Sequence, residues 1–179
     1  MNRIAIIPAV CLALVCLSEL DADELYKARL LTRTGEFTSG IEGPAADNQG
    51  NVYAVNFGKQ GTIGLVDSKG QGKSVHTLPE GSVGNGIRFD KRGNMYIADY
   101  PKHNVLRVDA KSGTLSVFAH EPEMNQPNDL TIDADGNLYA SDPNWGASTG
   151  QLWRISNKGV VTKLGGKMGT TNGIEVSPD

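Results

Sequence analysis

Glu42, Asn85, Asn128 and Asn172 are the residues of this 179-residue chain whose types and spacing could do chemistry together. They stand 43, 43 and 44 residues apart, each at the same point of a recurring pattern. The segments are Ile41-Glu42-Gly43-Pro44, Gly84-Asn85-Gly86-Ile87, Pro127-Asn128-Asp129-Leu130 and Thr171-Asn172-Gly173-Ile174. One carboxylate and three amides offer oxygen donors but no thiolate or imidazole. Brought to one point they would suit a hard cation, Ca²⁺ rather than zinc, with water completing the shell. Each residue also has a plainer reading. Glu42 could be a solvated loop charge, and Asn128 and Asn172 could cap turns through their side chains.

A fixed period in the forties, with short strands and turns inside each unit, predicts an all-β fold of the propeller type. Equivalent positions of successive blades then face one central channel, which is what would bring the four residues together. A second marker shares the period: the tetrads Gly50-Asn51-Val52-Tyr53, Gly93-Asn94-Met95-Tyr96 and Gly136-Asn137-Leu138-Tyr139. In the second repeat, Gly86–Asp90 alternates apolar and polar residues as a half-buried strand does, and Lys91–Asn94 is a turn. Strands at 95–99, 105–108 and 115–118 follow. The third repeat predicts strands at 130–133, 138–141, 152–155 and 160–164, and the first a strand at 52–55 after the turn at 47–51. Blades are expected near 41–80, 84–120 and 127–165, with the start of a fourth at 171–179, so that residues 23–179 hold about 3.5 blades. The expectation is a piece of a longer propeller or half of an assembly. A half-ring would expose an apolar face and an edge strand and would self-associate.

A formal net charge of −3 and a pI of about 5.6 argue against a nucleic-acid partner. The start differs from the rest: Met1-Asn2-Arg3 precedes a nearly unbroken apolar run from Ile4 to Leu17. That run is short for a bilayer span and has the form of a signal-peptide core. Residues 1–22 are therefore read as a signal peptide, the mature protein as secreted or periplasmic, and no stable membrane span is expected after cleavage. Both cysteines, Cys11 and Cys16, fall in this leader, so the mature chain would carry no disulfide and no thiolate chemistry. The three histidines, His76, His103 and His120, occupy unrelated places in their repeats and are expected at the surface. No Ser-His-Asp set or phosphate-binding glycine loop is present.

Several segments carry more than the period. Gln126-Pro127-Asn128-Asp129-Leu130, Asp135-Gly136-Asn137-Leu138-Tyr139, Ser141-Asp142-Pro143-Asn144-Trp145-Gly146, Gly150-Gln151-Leu152-Trp153-Arg154-Ile155 and Asn172-Gly173-Ile174-Glu175-Val176-Ser177-Pro178-Asp179 follow in order. From about Gly40 to Asp179 the chain resembles the gluconolactonase branch of the senescence-marker-protein/gluconolactonase family of six-bladed propellers. The resemblance implies a divalent cation, usually calcium, in the central tunnel on a Glu, two Asn and an Asp. Glu42, Asn128 and Asn172 match the Glu and the two Asn, while the family aspartate, also its best general-base candidate, would lie beyond Asp179. Asn85 is then a channel-lining, substrate-facing residue. Asp142 either orders the loop above the channel or faces substrate, and Trp145 and Tyr100 either wall a sugar-sized pocket or pack within loops. Asp129 is expected in structural pairing. The implied activity is calcium-dependent hydrolysis of a small-molecule lactone to the hydroxy acid. A non-catalytic binding propeller and a phosphotriesterase-type hydrolase on the same cation site are the alternatives.

Overall fold

The computed structural model describes residues 27–177, so the leader read into residues 1–22 lies outside the described residues. Residues 27–30 have no regular secondary structure. From residue 31 onward the described residues are built of strands and turns, with no helix. Among them, accordingly, no helix is long and apolar enough to cross a membrane.

Twelve strands form three four-stranded antiparallel sheets, each a simple meander. The first contains β1 (Ala45–Ala46), β2 (Val52–Val55), β3 (Thr62–Val66) and β4 (Gly72–Thr77). The second contains β5 (Gly84–Phe89), β6 (Met95–Asp99), β7 (Asn104–Val108) and β8 (Leu115–His120). The third contains β9 (Leu130–Ile132), β10 (Leu138–Asn144), β11 (Thr149–Ile155) and β12 (Val161–Gly166). This is the blade architecture of a β-propeller. The first strands of the sheets neighbour one another, β1 beside β5 and β5 beside β9.

The turn between the first two strands explains why the Gly-Asn-x-Tyr tetrad recurs. In the first sheet the Asp47 carboxylate accepts from the Gln49 and Asn51 backbone N–H groups, at 2.8 and 3.0 Å, and from the Asn51 side chain and Tyr53 hydroxyl. Asp90 does the same for Arg92, Asn94 and Tyr96, and Asp133 for Asp135, Asn137 and Tyr139. Gly50, Gly93 and Gly136 close these turns at φ of 80°, 83° and 82°, a conformation a side chain would strain.

Two apolar clusters lie between successive sheets. Val55, Ile63 and Leu78 pack against Ile87, Met95, Ile97, Leu106 and Val108. Tyr96, Ala98, Val105, Ala119 and Met124 pack against Leu130, Leu138, Ala140, Trp153 and Ile155. The middle sheet is covered on both faces, so every residue of β6 is buried. Tyr53 reaches the second sheet directly, its ring edge-on to Phe89 at 5.0 Å. The last strands β4, β8 and β12 are largely exposed and carry lysine or histidine, which discourages edge pairing.

Several expected boundaries change. Two-residue β1 and the strands β3 and β4 complete the first sheet, where only 52–55 was predicted. β10 runs on through Pro143 to Asn144 and pairs with an equally long β11, Asn144 opposite Thr149. The Asp-Pro-Asn segment is thus part of a long hairpin rather than a loop. Gly150 permits this, because an added Cβ would collide with the Gly169 carbonyl. The histidines are also less uniform than expected. His120 is exposed, whereas His76 and His103 are half-buried and the His103 Nδ1 is hydrogen-bonded to the Met124 carbonyl.

Candidate functional site

The candidate residues ride on irregular backbone at the start of each sheet's first strand. In the second sheet the pairing of β5 with β6 shifts between Gly84 and Ile87, so Asn85 and Gly86 bulge out of the ladder. In the third, Asn128 and Asp129 lie just before β9. Asn128 N–H donates to the Ser141 carbonyl at 2.9 Å, and Ser141 N–H returns to the Asp129 carbonyl at 3.1 Å. In the first, Val55 N–H donates to the Glu42 carbonyl at 3.3 Å. Bulges of this kind re-aim a side chain and are common beside functional sites.

These segments are in contact from sheet to sheet. Gly86 N–H donates to the Asn128 carbonyl at 2.7 Å. A Cβ on Gly86 would stand 2.6 Å from Asp129 Oδ1 and 2.8 Å from its Cα. Gly43, at φ 55°, lies against the Asn85 carbonyl so closely that any Cβ would overlap it. Glycine therefore follows Glu42 and Asn85 because the neighbouring backbone leaves no room. These glycines, with Gly173 after Asn172, recur at the repeat period and could have been read as a close-packing signal.

In the third repeat the equivalent place is taken by Asp129, which links three segments. Its carboxylate accepts from its neighbour's Leu130 N–H at 2.8 Å, from Arg88 of β5 at 3.3 Å and from Ile174 N–H at 3.3 Å. Glu175 completes the link, receiving the Thr131 hydroxyl at 2.8 Å and approaching Arg88 at 3.7 Å. The structural pairing expected of Asp129 is what the geometry displays, while Arg88 and Glu175 escaped the sequence reading. Residues 171–177 thereby lie alongside β9 without forming a strand.

The side chains of Glu42, Asn85, Asn128 and Asn172 make no hydrogen bond or ion pair among the described residues. Other asparagines are committed: Asn51, Asn94 and Asn137 to their turn aspartates, Asn56 to Gly40, and Asn104 to Asp99. Among the described residues, neither the Asn128 nor the Asn172 side chain is bonded to a turn. Asn128 is 8% exposed, and its amide is not among the fully buried polar atoms that lack a partner, so it stays open to water or a ligand. Glu42 and Asn172 are exposed and Asn85 is half-buried. One carboxylate with uncommitted amide oxygens fits a hard divalent cation. Among the described residues no group of three or more His, Cys, Asp or Glu side chains is arranged to hold a metal, so any cation would rely on the asparagines.

The remaining candidates lie differently. Asp142 is fully buried, its two oxygens enclosed by the Asn125 and Gln126 backbone N–H groups and the Trp153 indole, so its carboxylate ties the loop before β9 to β11. Trp145, 43% exposed, stands at the tip of the β10–β11 hairpin. Tyr100 is half-buried, with its N–H on the Val83 carbonyl.

The fold resembles that of several solved structures. A gluconolactonase from Xanthomonas campestris superposes with a TM-score of 0.61 at 18% identity, over 75% of this chain and 49% of that one. The calcium-binding protein regucalcin from Agrobacterium tumefaciens gives 0.55 at 23% identity, over 71% and 43%. Virginiamycin B lyase from Staphylococcus aureus gives 0.58 at 16% identity, over 72% and 43%. The chain thus spans less than half the length of these three proteins. No curated protein sequence matches it. Residues 41–179 match the family described as the SMP-30/Gluconolactonase/LRE-like region, and by that match over most of its length the chain belongs to this family.

Proposed function

We propose that the protein contributes to a calcium-dependent lactonase that opens a sugar or related lactone to its hydroxy acid. Family membership and the gluconolactonase and regucalcin likenesses support the reaction class and the cation. The observation that carries the reading is the uncommitted amide of the largely buried residue Asn128, at the same repeat position as the uncommitted Glu42 and Asn172. Glu42, Asn128 and Asn172 would hold the ion. A calcium ion so held supplies Lewis-acid polarisation of the lactone carbonyl. Asn85, on its bulge between the two neighbouring segments, would donate from its amide to a substrate oxygen. Asp129 is committed to Arg88 and Ile174 and would keep the first strands of successive sheets in register, not move a proton. The leader read into residues 1–22 would place this activity outside the cytoplasm.

The test is hydrolysis of glucono-1,5-lactone followed by acid release at constant pH, with calcium, with chelator and after calcium is restored. Release that stops with chelator, returns with calcium and is lost in Asn128→Ala supports the reading. Release indifferent to both manipulations contradicts it.

A further inference from the structure

At or near the end of each sheet's second strand stands a buried polar residue, and the three, Asn56, Asp99 and Asp142, are spaced 43 residues apart. Each reaches back to the loop that delivers the candidate residue of its own sheet. Asn56 donates from Nδ2 to the Gly40 carbonyl at 2.8 Å, two residues before Glu42, and its own carbonyl receives Thr38 N–H at 2.9 Å. Asp99 receives the Ser82 hydroxyl at 2.8 Å, three residues before Asn85. Asp142 receives Asn125 N–H at 2.8 Å and Gln126 N–H at 2.6 Å, three and two residues before Asn128, together with the Asn125 side chain.

We infer that Asn56, Asp99 and Asp142 are positioning residues that set the lead-in loops and so hold Glu42, Asn85 and Asn128 in place. This rests on the reading of Asn128 as a ligand. A fully buried carboxylate is unfavourable unless its oxygens are well bonded, and an apolar residue would fill the same place at less cost if only packing mattered. Asp142 is fully buried, and its other contacts, Trp153 Nε1 at 2.8 Å and Gln151 Nε2 at 3.2 Å, tie it to β11. It therefore clamps a loop to a rigid strand. The grip and the order of the site agree across the sheets. Asp142 holds two backbone amides of its loop and Asn128 is nearly buried, while Asn56 and Asp99 each hold theirs by one side-chain bond and Glu42 and Asn85 are more open.

The test uses the full chain with two substitutions on opposite sides of one carboxylate. Asp142→Asn removes acceptor capacity facing the loop, whereas Trp153→Phe removes one of the two strand-side bonds and spares the loop-side ones. Amide hydrogen exchange at Asn125, Gln126 and Asn128 reads the loop, and calorimetric titration with CaCl₂ reads the site. Asp142→Asn is expected to speed exchange about tenfold or more and to weaken calcium binding about 10–100-fold, the usual effect of losing a partner behind the ligands. Trp153→Phe should leave both within about twofold, as expected of a change that spares the loop bonds. Equal effects of the two variants, or unchanged loop exchange in Asp142→Asn, would overturn the inference. If Asp142→Asn does not fold, Ser82→Ala decides by the exchange of Val83 and Asn85, which should rise if Asp99 anchors that loop and stay constant if it does not. A wild-type protein that ignores calcium would overturn the metal reading alone, because the exchange measurements judge the anchors without it.

Discussion

Asn128 and Asn94 show how the same residue type serves two ends in one repeat. Asn94 is locked to Asp90 by its side chain at 2.7 Å, and its Oδ1 receives Ala110 N–H at 2.9 Å. Asn128 has its backbone fixed on both sides and its amide uncommitted among the described residues. Replacing each with alanine should separate the roles. Asn94→Ala should destabilise by about 1–3 kcal/mol, because it removes one donor from the Asp90 carboxylate and the acceptor of the Ala110 N–H. Asn128→Ala should cost less than about 0.5–1 kcal/mol without calcium, yet lower calcium affinity markedly, as urea unfolding and calorimetric titration would check. Unfolding of Asn128→Ala as severe as that of Asn94→Ala would assign it to the framework instead. The residue types and period of the site were legible in the sequence because oxygen donors at one phase of a repeat admit few other readings. Asp99 and Asp142 were not, because a polar residue closing an apolar strand reads as the start of a turn. Only the contacts reveal that both are buried and bonded back to residues 16 or 17 positions earlier.

The turns and the strand junctions make separate predictions. Burial raises Asp47 and Asp133, but the Asn51 and Asn137 donors, with the backbone and tyrosine bonds, outweigh it and hold both below the ordinary 3.8. Asp109 is held at about 2 by the Ser112 backbone N–H and hydroxyl and by Arg107. Carboxyls lowered by folding stabilise above their ordinary value, and that contribution is lost as pH falls through the folded one. His76 acts at higher pH: burial disfavours its charged form and lowers it from 6.5, so stability should fall as pH drops below 6.5. Urea midpoints should therefore be flat between about pH 7 and 9, decline below 6.5 and decline again below about 3.8. His76→Gln should remove the upper step and leave the lower; loss of neither step would refute the assignment. Gly86→Ala should cost about 1–3 kcal/mol by forcing apart the first strands of the second and third sheets, where Asp129 leaves no room. The long β10 was hidden in the sequence because Pro143 reads as a strand breaker, yet proline is tolerated at an outer hairpin end. Two-residue β1 is too short to carry an alternation.

Across the whole molecule, the second sheet supplies one side of both apolar clusters and so bears most of the packing. Ile97, fully buried at the centre of β6, should cost about 2–5 kcal/mol on truncation to alanine, measurable as a shift of the urea midpoint. An effect below about 1 kcal/mol would mean that the sheets do not unfold as one unit. The same stacking brings Gly43 against Asn85, Gly86 against Asn128 and Asp129 against Ile174, so that residues some 43 apart become neighbours. The period announced that arrangement. The cross-links that fasten it, Arg88 to Asp129 and Thr131 to Glu175, could be seen only once the sheets were in place. The central claim is that this stacking builds a cation site from Glu42, Asn128 and Asn172. The most direct measurement is thermal unfolding of the full chain over a calcium titration, beside the Glu42→Gln variant. At about 100-fold excess over the dissociation constant, a site present only in the folded state adds about 2.7 kcal/mol. The wild-type protein should therefore melt several degrees higher with calcium, the rise should vanish with chelator, and Glu42→Gln should show little of it. No rise in the wild type, or an equal rise in Glu42→Gln, would contradict the account.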